Sequence, residues 1–300
     1  METMRQRFSD VTKDLLDTDT RIAVALADIG AGSFDQNANP DRVINLGIRE
    51  QLLIGVTAGM ALSGLRPIAH SYTPFLIERP FEQIKLDLSH QGLGAILVSI
   101  GASYDAASVG RTHQSPGDVA LLGTLPGWTI HVPGHPDEAE TMLRQAASTD
   151  DTVYIRLAED TNTQAYPTTG RFAEIRTGSA HGATVIAVGP MLDRVLAATE
   201  HLDVTVLYTA TVRPFDAAGL LDAVRGPDVV LVEPYLEGTS AAEVAKALRG
   251  QPHRLLSVGV PNIEHRHYGT RHHHAAAHGL DVPGLRATID EFIALQVDSR

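Results

Sequence analysis

Asn45-Leu46-Gly47-Ile48-Arg49-Glu50-Gln51 leads directly into an apolar run that extends from Leu52 to Leu65. The β-branched residues before it predict a short strand over 42–46, and the apolar run predicts a helix over 49–62 that is buried on nearly every side. Glu50 stands in the first turn of that helix, where a carboxylate offsets the positive end of the helix dipole. From these residues alone, a helix-stabilising role and a catalytic role for Glu50 both remain open.

Strand and helix patterns alternate on both sides of this element. The predicted strands are short, apolar and rich in β-branched residues, and they cover 21–30, 42–46, 66–72, 95–100, 128–132, 152–157, 184–188, 204–208, 229–232 and 255–258. The predicted helices lie at 1–20, 49–62, 74–90, 118–125, 135–147, 191–201, 215–224 and 240–248. Such alternation predicts mainly parallel sheets with helices on both faces. The polar, aperiodic segment 158–169 predicts a linker between two α/β domains, 1–162 and 163–300.

Composition excludes several classes of protein. The formal net charge of −12 argues against a nucleic-acid partner, because proteins that bind nucleic acid present a basic face. The chain has no cysteine, which excludes disulfides, thiolate nucleophiles and cysteine-ligated metal sites. No apolar run reaches the roughly 18–20 residues that span a bilayer, and residues 1–19 contain no apolar signal-peptide core. A cytoplasmic protein that does not bind membranes is therefore expected.

The carboxyl ends of the predicted strands bring several reactive side chains to one edge. Ligands of open parallel sheets bind at that edge, and the loop 101–117 beside it is long for an α/β domain. Phe75 also fits an apolar helical stripe, and Arg156 would reach the polar face of its strand, where a surface ion pair accounts for it. The side chains expected at the edge offer a carboxylate, aromatic rings, an imidazole, an amide and cations; they belong to Glu50, Tyr72, Phe75, Arg111, His113, Gln114 and Arg156.

Four motifs along the first half resemble one enzyme family. They read GIREQ…GVTAGMALSG (47–64), SYTPF…RPFEQIKLDL (71–88), GRTHQSPGDVALL (110–122) and HVPGHPDEAE (131–140). In order and spacing they are similar to the second half of transketolases. A weaker likeness to the transketolase C-terminal domain continues through RPFD (213–216), VEPYLEG (232–238) and HYGT (267–270). The resemblance implies a pyrimidine-binding domain over 1–162 and a transketolase C-terminal domain over 163–300.

The resemblance implies thiamine diphosphate as the cofactor, with its pyrimidine end on this chain. Glu50 matches the glutamate that hydrogen-bonds N1′ of the aminopyrimidine, and Phe75 matches the ring that stacks on it, with Tyr72 nearby. Arg79 is also expected to bind the cofactor. His113 matches the histidine that contacts the reacting substrate oxygens and exchanges protons near neutral pH. The residues expected to bind substrate are His113, Arg111 and, at a position that binds phosphate in transketolases, Arg156.

One signature of the family is missing. The Gly-Asp-Gly…Asn motif, which holds the diphosphate and Mg²⁺, does not occur in the sequence. The resemblance therefore implies a split transketolase, in which a separate N-terminal subunit binds the diphosphate and Mg²⁺ and this chain is inactive alone. An α2β2 heterotetramer is expected, with this chain also contacting a second copy of itself. Gly55 and Gly59 would allow close packing at an interface.

The expected reaction is transfer of a two-carbon ketol unit from a ketose, phosphorylated or not, to an aldehyde. Val109 stands where transketolases carry an Asp that reads a sugar hydroxyl, so the sequence does not identify the donor. Two alternatives remain: the β subunit of a 2-oxoacid dehydrogenase E1 component or another acyl-transferring enzyme with the same cofactor, and a structural or regulatory subunit without turnover. The histidine-rich segment 265–278 predicts a solvated loop rather than a metal site, because no acidic ligands flank its histidines.

Overall fold

Two β-sheets organise the computed structural model, which describes residues 2–34 and 36–295. In chain order the strands are β1 (Ile22–Leu26), β2 (Val43–Asn45), β3 (Arg66–Tyr72), β4 (Ile96–Ile100), β5 (Thr129–His131), β6 (Val153–Arg156), β7 (Ala173–Arg176), β8 (Ala183–Val188), β9 (Val204–Thr209), β10 (Thr211–Arg213), β11 (Asp228–Leu236) and β12 (Arg254–Val260). The first sheet has the order β10-β5-β6-β4-β3-β1-β2, and the second has the order β12-β11-β8-β9-β7. Among the described residues, only β10 with β5 and β7 with β9 pair antiparallel. The predicted α/β fold with two mainly parallel sheets is confirmed.

Helices cover both faces of the sheets. They are α1 (Met4–Thr18), α2 (Glu50–Leu62), α3 (Phe81–Gln83), α4 (Asp118–Leu122), α5 (Pro136–Ala147), α6 (Leu192–Ala198), α7 (Ala217–Ala223), α8 (Ala241–Ala247), α9 (Arg271–Ala277) and α10 (Val282–Ala294), and π-helical segments Pro74–Glu78 and Ile84–His90 flank α3. Side chains of β1 alternate between two cores: Ile22 and Val24 lie in one, and Ala23 and Ala25 lie in the other. Burial on both faces explains why this strand is apolar throughout rather than alternating.

The structure adds four elements to the predicted set, namely β7, β10, α9 and α10. Strand β10 comes from the second half of the chain yet pairs with β5 of the first sheet, with Thr211 opposite His131. Three residues are too short for a periodic pattern, so the sequence does not reveal this strand. The described segment 157–172 contains no helix or strand, and the boundary between 162 and 163 stays a prediction. Position 1 and positions 296–300 of the predicted domains lie outside the described residues.

Helix α2 is not buried on every side, so that prediction is wrong. Leu53 and Ile54 are fully buried in the core. Leu52 and Leu62 are exposed, and Ile48, just before the helix, is 70% exposed. One side of the apolar helix therefore packs against the first sheet, and another side is left exposed by this chain.

The histidine-rich segment is in part a helix, so the prediction of a solvated loop is wrong for 271–277. Thr270 caps α9 by accepting a hydrogen bond from the backbone N–H of His273. His274 is buried, and its ring stacks on Tyr104 at a centroid distance of 6.0 Å. Burial, together with the neighbouring histidines, lowers the pKa of His278 to about 4.

Within 2–34 and 36–295, no group of three or more His, Asp or Glu side chains is arranged to hold a metal ion. None of the helices in this described part of the chain has the length and apolar character needed to cross a membrane.

Candidate functional site

Glu50 is buried where the first sheet meets helix α2. Strand β2 ends at Asn45, and Gly47 turns the chain with a φ of +67°, which glycine adopts without strain. Helix α2 begins at Glu50, whose side chain is 1% exposed. No described side chain caps this helix start, so the carboxylate lies at the positive end of the helix dipole, which favours its negative charge.

Arg79 connects Glu50 to Phe75. Arg79 Nη1 donates to Glu50 Oε2 at 2.5 Å, and Arg79 Cζ lies 4.1 Å from the centroid of the Phe75 ring. Phe75 belongs to the π-helical segment 74–78, and Arg79 follows that segment directly, which brings the guanidinium back over the ring. A planar cation therefore stacks on an aromatic ring and bonds a buried carboxylate at the same time.

Tyr72, Phe75 and His113 form a cluster of three rings. The centroids are 6.2 Å apart for Tyr72 and Phe75, 5.4 Å for Tyr72 and His113, and 4.9 Å for Phe75 and His113, all edge-to-face. The carboxyl end of β3 supplies Tyr72, and a 3₁₀ turn in the loop 101–117 supplies His113. The structure thus places the predicted residues Glu50, Tyr72, Phe75, Arg79 and His113 in one contiguous site.

The loop 101–117 is folded tightly beside the ring cluster. Gly101 has a φ of +74°, and a Cβ there would lie 2.4 Å from the Tyr72 ring, so the position requires glycine. The backbone N–H of Ser115 donates to Ser103 O at 3.1 Å, which closes the base of the loop. Ser115 Oγ donates to Glu78 Oε1 at 2.8 Å and ties the loop to the segment that carries Phe75.

Arg111 and Gln114 line a cavity of about 220 Å³ between this loop and the second half of the chain. Arg111 Nε lies 3.3 Å from Glu264 Oε2, and Arg111 Nη1 donates to Gln114 O at 2.8 Å. The cavity is not lined by the carboxylate or by any ring of the cluster. The structure does not bring Arg111 to the cluster, and its substrate contact stays a prediction.

Arg156 is fully buried, which corrects its predicted place on a polar face of the sheet. Its Nε donates to Asp118 Oδ2 at 2.7 Å, and its Nη2 donates to Ser103 Oγ at 2.6 Å. Burial alone would lower the pKa of Arg156, but the Asp118 carboxylate raises it above the ordinary value. Strand β6 lies inside the sheet between β5 and β4, so both of its faces are covered. Arg156 has no exposed surface for a substrate phosphate in this structure.

A second cavity, of about 310 Å³, opens on Tyr72 and is lined by two cations that the sequence analysis missed, Arg5 and Arg271. Arg271 is neutralised by ion pairs with Glu159 at 3.2 Å and Asp160 at 2.7 Å. Arg5 forms no ion pair within the described residues. It lies in the first turn of α1, where the sequence shows only a helix of mixed polarity, so the fold alone connects it to Tyr72.

Comparisons with known proteins agree with this architecture. The family description "Transketolase, pyrimidine binding domain" matches residues 1–163, and "Transketolase, C-terminal domain" matches residues 173–285. A 6-deoxy-6-sulfo-D-fructose transketolase subunit of Clostridium sp. (strain MSTE9) is 31% identical over 86% of this chain and 84% of that protein. An uncharacterized 33.6 kDa protein in the fasciation locus of Rhodococcoides fascians is 50% identical over 95% of this chain and 93% of that protein.

A solved structure described as a split gene transketolase, inactive beta4 tetramer, is similar to this fold. It has a TM-score of 0.83 and 24% identity, and the similarity covers 98% of this chain and 99% of that one. The chain belongs to the transketolase family. Its matched parts are the pyrimidine-binding and C-terminal domains of that family. The predicted family and enzyme class, a transketolase-like transferase, are confirmed.

The family implies thiamine diphosphate, and the side chains present fit the pyrimidine end of that cofactor. The Arg79 guanidinium stands in for a flat, nitrogen-containing ring, because it stacks on Phe75 and offers an N–H to Glu50. A planar heterocycle can make the same two contacts with the same two residues. Glu50 and Phe75 are therefore the residues that would hold the ring, provided that the Arg79 side chain moves aside.

Proposed function

We propose that this chain is the C-terminal subunit of a split transketolase that transfers a two-carbon ketol unit from a ketose to an aldehyde. The observation that carries the proposal is the contact of Glu50 and Phe75 through Arg79, directly beside His113. A buried carboxylate and a stacking ring suit the cofactor, and the adjacent imidazole suits the substrate. Cytoplasmic location remains part of the proposal.

Glu50 and Phe75 would prepare the cofactor. Thiamine diphosphate, when bound, would supply a nucleophilic thiazolium carbon for the donor carbonyl. Glu50 would share a proton between its carboxylate and the pyrimidine N1′, and its near-complete burial keeps water from competing for that proton. Phe75 would fix the plane of the pyrimidine by stacking.

His113 would exchange protons with the oxygens of donor and acceptor. Its Nδ1 lies 2.9 Å from Thr112 Oγ1, and its Nε2 makes no hydrogen bond among the described residues. Contacts with Tyr72 and Phe75 fix the plane of the imidazole ring. A histidine with one nitrogen engaged and the other free can serve as both acid and base near neutral pH.

Arg5 would bind the anionic end of the donor. The 310 Å³ cavity joins Arg5 to Tyr72, so a ketose whose carbonyl lies at the ring cluster could extend its far end toward this cation. The 6-deoxy-6-sulfo-D-fructose of the Clostridium relative's name is an anionic ketose. A phosphorylated or sulfonated ketose is therefore the proposed donor class.

A separate subunit would complete the site by holding the diphosphate and Mg²⁺, because the Gly-Asp-Gly…Asn signature is absent from this sequence. The uncovered face of α2 supports such an assembly. Leu52 and Leu62 are both exposed on this helix, and exposed apolar side chains of this kind suit an interaction surface. Leu52 lies two residues after Glu50, so a partner seated on this face would lie near the cofactor site. We propose an α2β2 assembly.

The test is a donor–acceptor screen on the complex of this chain with a diphosphate-binding transketolase subunit. We expect ketol transfer that requires thiamine diphosphate and Mg²⁺ and prefers anionic ketoses. Arg5→Gln should raise KM for anionic donors and leave uncharged donors unaffected, whereas Lys13→Gln, a cation on the same helix, should change neither. Decarboxylation of 2-oxoacids without ketol transfer would contradict the proposal and favour the dehydrogenase alternative.

The isolated chain offers a second test. Calorimetry with thiamine diphosphate and Mg²⁺ should show no tight binding, since most of the affinity for a diphosphate comes from groups that this chain lacks. The complex should bind the cofactor under the same conditions. Micromolar binding by the chain alone would overturn the division of the site between two subunits.

A further inference from the structure

A continuous chain of buried hydrogen bonds runs beneath the ring cluster into the second half of the molecule. Thr73 Oγ1 donates to Ser99 Oγ at 3.0 Å, and Ser99 Oγ lies 2.7 Å from Tyr154 OH. Tyr154 OH donates to Asp118 Oδ2 at 2.6 Å. Because Tyr154 donates its single hydroxyl proton to Asp118, the Ser99 hydroxyl is the donor to Tyr154. Thr73 Oγ1 also lies 3.0 Å from Ile100 O, so its one proton is shared between that carbonyl and Ser99 Oγ.

The chain continues from Asp118 through Arg156. Arg156 Nε donates to the same Asp118 Oδ2 at 2.7 Å, and Arg156 Nη2 donates to Ser103 Oγ at 2.6 Å. Ser103 Oγ donates to Pro234 O at 2.5 Å, at the end of strand β11. We call this hydrogen-bonded chain the relay. All of its side chains are buried; they belong to Thr73, Ser99, Tyr154, Asp118, Arg156 and Ser103. Charged members make these bonds short and directional, and burial shields them from competing water.

The relay holds the parts of the molecule that carry the candidate site. Thr73 lies between Tyr72 and Phe75, while Ser103 lies near the start of the loop 101–117 and Asp118 lies just after its end. A backbone bond from Leu236 N–H to Pro116 O, at 2.7 Å, fastens the same loop to β11.

This arrangement of hydrogen bonds determines the position of His113. Its ring is half-buried on a loop whose tip is exposed, so its position relative to Phe75 depends on how the two ends of the loop are anchored. Both anchors converge on the Asp118–Arg156 pair. A histidine that exchanges protons with a substrate loses rate steeply when it is displaced by a fraction of an ångström to an ångström.

We propose that Asp118 and Arg156 are positioning residues, which tie the His113 loop to strand β11 and thereby give the C-terminal half a role in the reaction. This inference rests on the proposed function. It replaces the expected phosphate contact of Arg156, because the guanidinium is 0% exposed and its Nε and Nη2 are bonded to Asp118 and Ser103, while Nη1 is buried without a hydrogen-bond partner.

The experiment uses three mild variants in the assembled complex: Arg156→Lys, Tyr154→Phe and Ser103→Ala. The control is Tyr208→Phe, because Tyr208 is also a buried tyrosine whose hydroxyl donates to a carboxylate, Glu138 Oε2 at 2.5 Å, but away from the loop. The measurements are kcat and KM with an anionic and an uncharged ketose donor, and backbone hydrogen exchange across 103–117.

We expect the three relay variants to lower kcat by roughly tenfold to a hundredfold. KM should stay within about twofold for both donors, because the relay does not touch substrate. Hydrogen exchange in 103–117 should become faster. The control should leave kcat and loop exchange unchanged even where it lowers the melting temperature.

Two results would overturn the inference. One is a rise in KM for the anionic donor alone in Arg156→Lys with unchanged loop exchange, which would make Arg156 a phosphate ligand. The other is equal loop exchange in the relay variants and the control. Hydrogen exchange needs no turnover, so a wild-type complex without ketol transfer would defeat the proposed function, whereas faster exchange in the relay variants would still support the anchoring of the loop.

Discussion

Arg79 Nη1 lies 2.5 Å from Glu50 Oε2 while the same guanidinium stacks on Phe75 at 4.1 Å. One side chain thus makes both contacts that the resemblance predicts for the pyrimidine of the cofactor. Glu50 is 1% exposed, whereas the Arg79 side chain is 36% exposed. The pair therefore compensates the buried carboxylate. If the pyrimidine ring binds at Glu50 and Phe75 as proposed, the pair has to open when the ring enters.

Replacing Arg79 by alanine should increase the gain in stability that the complex shows when the cofactor binds. Loss of the ion pair should destabilise the cofactor-free complex by about 1–3 kcal/mol, between the values for exposed and buried pairs. The cofactor-bound form no longer needs the pair and should be affected less. The rise in melting temperature on adding thiamine diphosphate should therefore be larger in Arg79→Ala than in the wild type.

Lys85→Ala is the control for this variant, since Lys85 is an exposed cation on the following π-helical segment. It should leave the cofactor-dependent rise unchanged. If Arg79→Ala instead abolishes cofactor binding, Arg79 remains beside Glu50 as a direct ligand of the cofactor, as the sequence analysis expected, and does not give way to the ring.

Glu50→Gln should reduce ketol transfer by several orders of magnitude while the complex still assembles. Glutamine keeps the size of the side chain and can accept a hydrogen bond, but it cannot take up a proton from the pyrimidine nitrogen. The measurement is kcat together with the mass of the complex in solution. Glu82→Gln, at an exposed carboxylate, is the matched control. Activity near that of the wild type would remove Glu50 from the catalytic assignment.

Gly59→Ala distinguishes a glycine that the chain itself requires from a glycine that close packing in the assembly requires. A Cβ at Gly59 meets no atom within 4 Å, so nothing in the described chain requires glycine in this helix. Alanine should stabilise the isolated chain by about 0.5–1 kcal/mol. It should weaken assembly if a partner's backbone approaches this face of α2. The measurements are the unfolding free energy of the chain and the dissociation constant of the complex.

Gly250→Ala provides the comparison for Gly59, because a Cβ added at Gly250 would also meet no atom within 4 Å, but this glycine lies in an exposed turn after α8. It should not affect assembly. Unchanged assembly in Gly59→Ala would show that the uncovered face of α2 is not a close interface and would leave the exposed Leu52 and Leu62 without that explanation.

The sequence predicted ten of the twelve strands and the meeting of the ring residues at one edge, because both depend on local pattern or on motif. The motif around Glu50 and the THQ motif identify residues that a parallel sheet brings to one edge, and the structure does place Glu50, Phe75 and His113 together. The stacking of Arg79 on Phe75 beside Glu50 was not predictable from the sequence, because it depends on how the π-helical segment 74–78 brings the Arg79 side chain over the Phe75 ring.

The errors come from tertiary context. Arg156 reads as a polar residue on an alternating strand, but β6 is interior and Asp118, far away in sequence, neutralises the charge inside the protein. His274 lies in the segment predicted as a solvated loop, but its ring stacks on Tyr104 from the other half of the chain. Arg5 becomes a candidate for substrate binding only because α1 packs with its first turn facing Tyr72.

Val109→Asp should change the choice of donor. Val109 is 48% exposed at the tip of the loop, four residues before His113, so a carboxylate there would meet solvent and substrate without burial cost. An added hydrogen-bond acceptor should raise kcat/KM for a hydroxylated donor over its deoxy analogue by roughly tenfold. Val109→Ala controls for loss of the valine. An unchanged preference would mean that this hydroxyl is read elsewhere.

Asp105→Asn should stabilise the protein at alkaline pH and not at acid pH. Burial, with contributions from the carboxylates of Asp160 and Glu159, raises the pKa of Asp105 to about 7, against the backbone N–H of Glu159 and the charge of Arg156, which lower it. The folded chain therefore keeps a proton that the unfolded chain releases near pH 4, so stability falls as pH rises from about 4 to 7. Asparagine cannot ionise and should gain about 1–3 kcal/mol over the wild type at pH 8, with the two curves meeting below pH 4. Urea unfolding at several pH values measures this, with exposed Asp41→Asn as the control; a gain that does not vary with pH would show that Asp105 is not protonated in the folded chain.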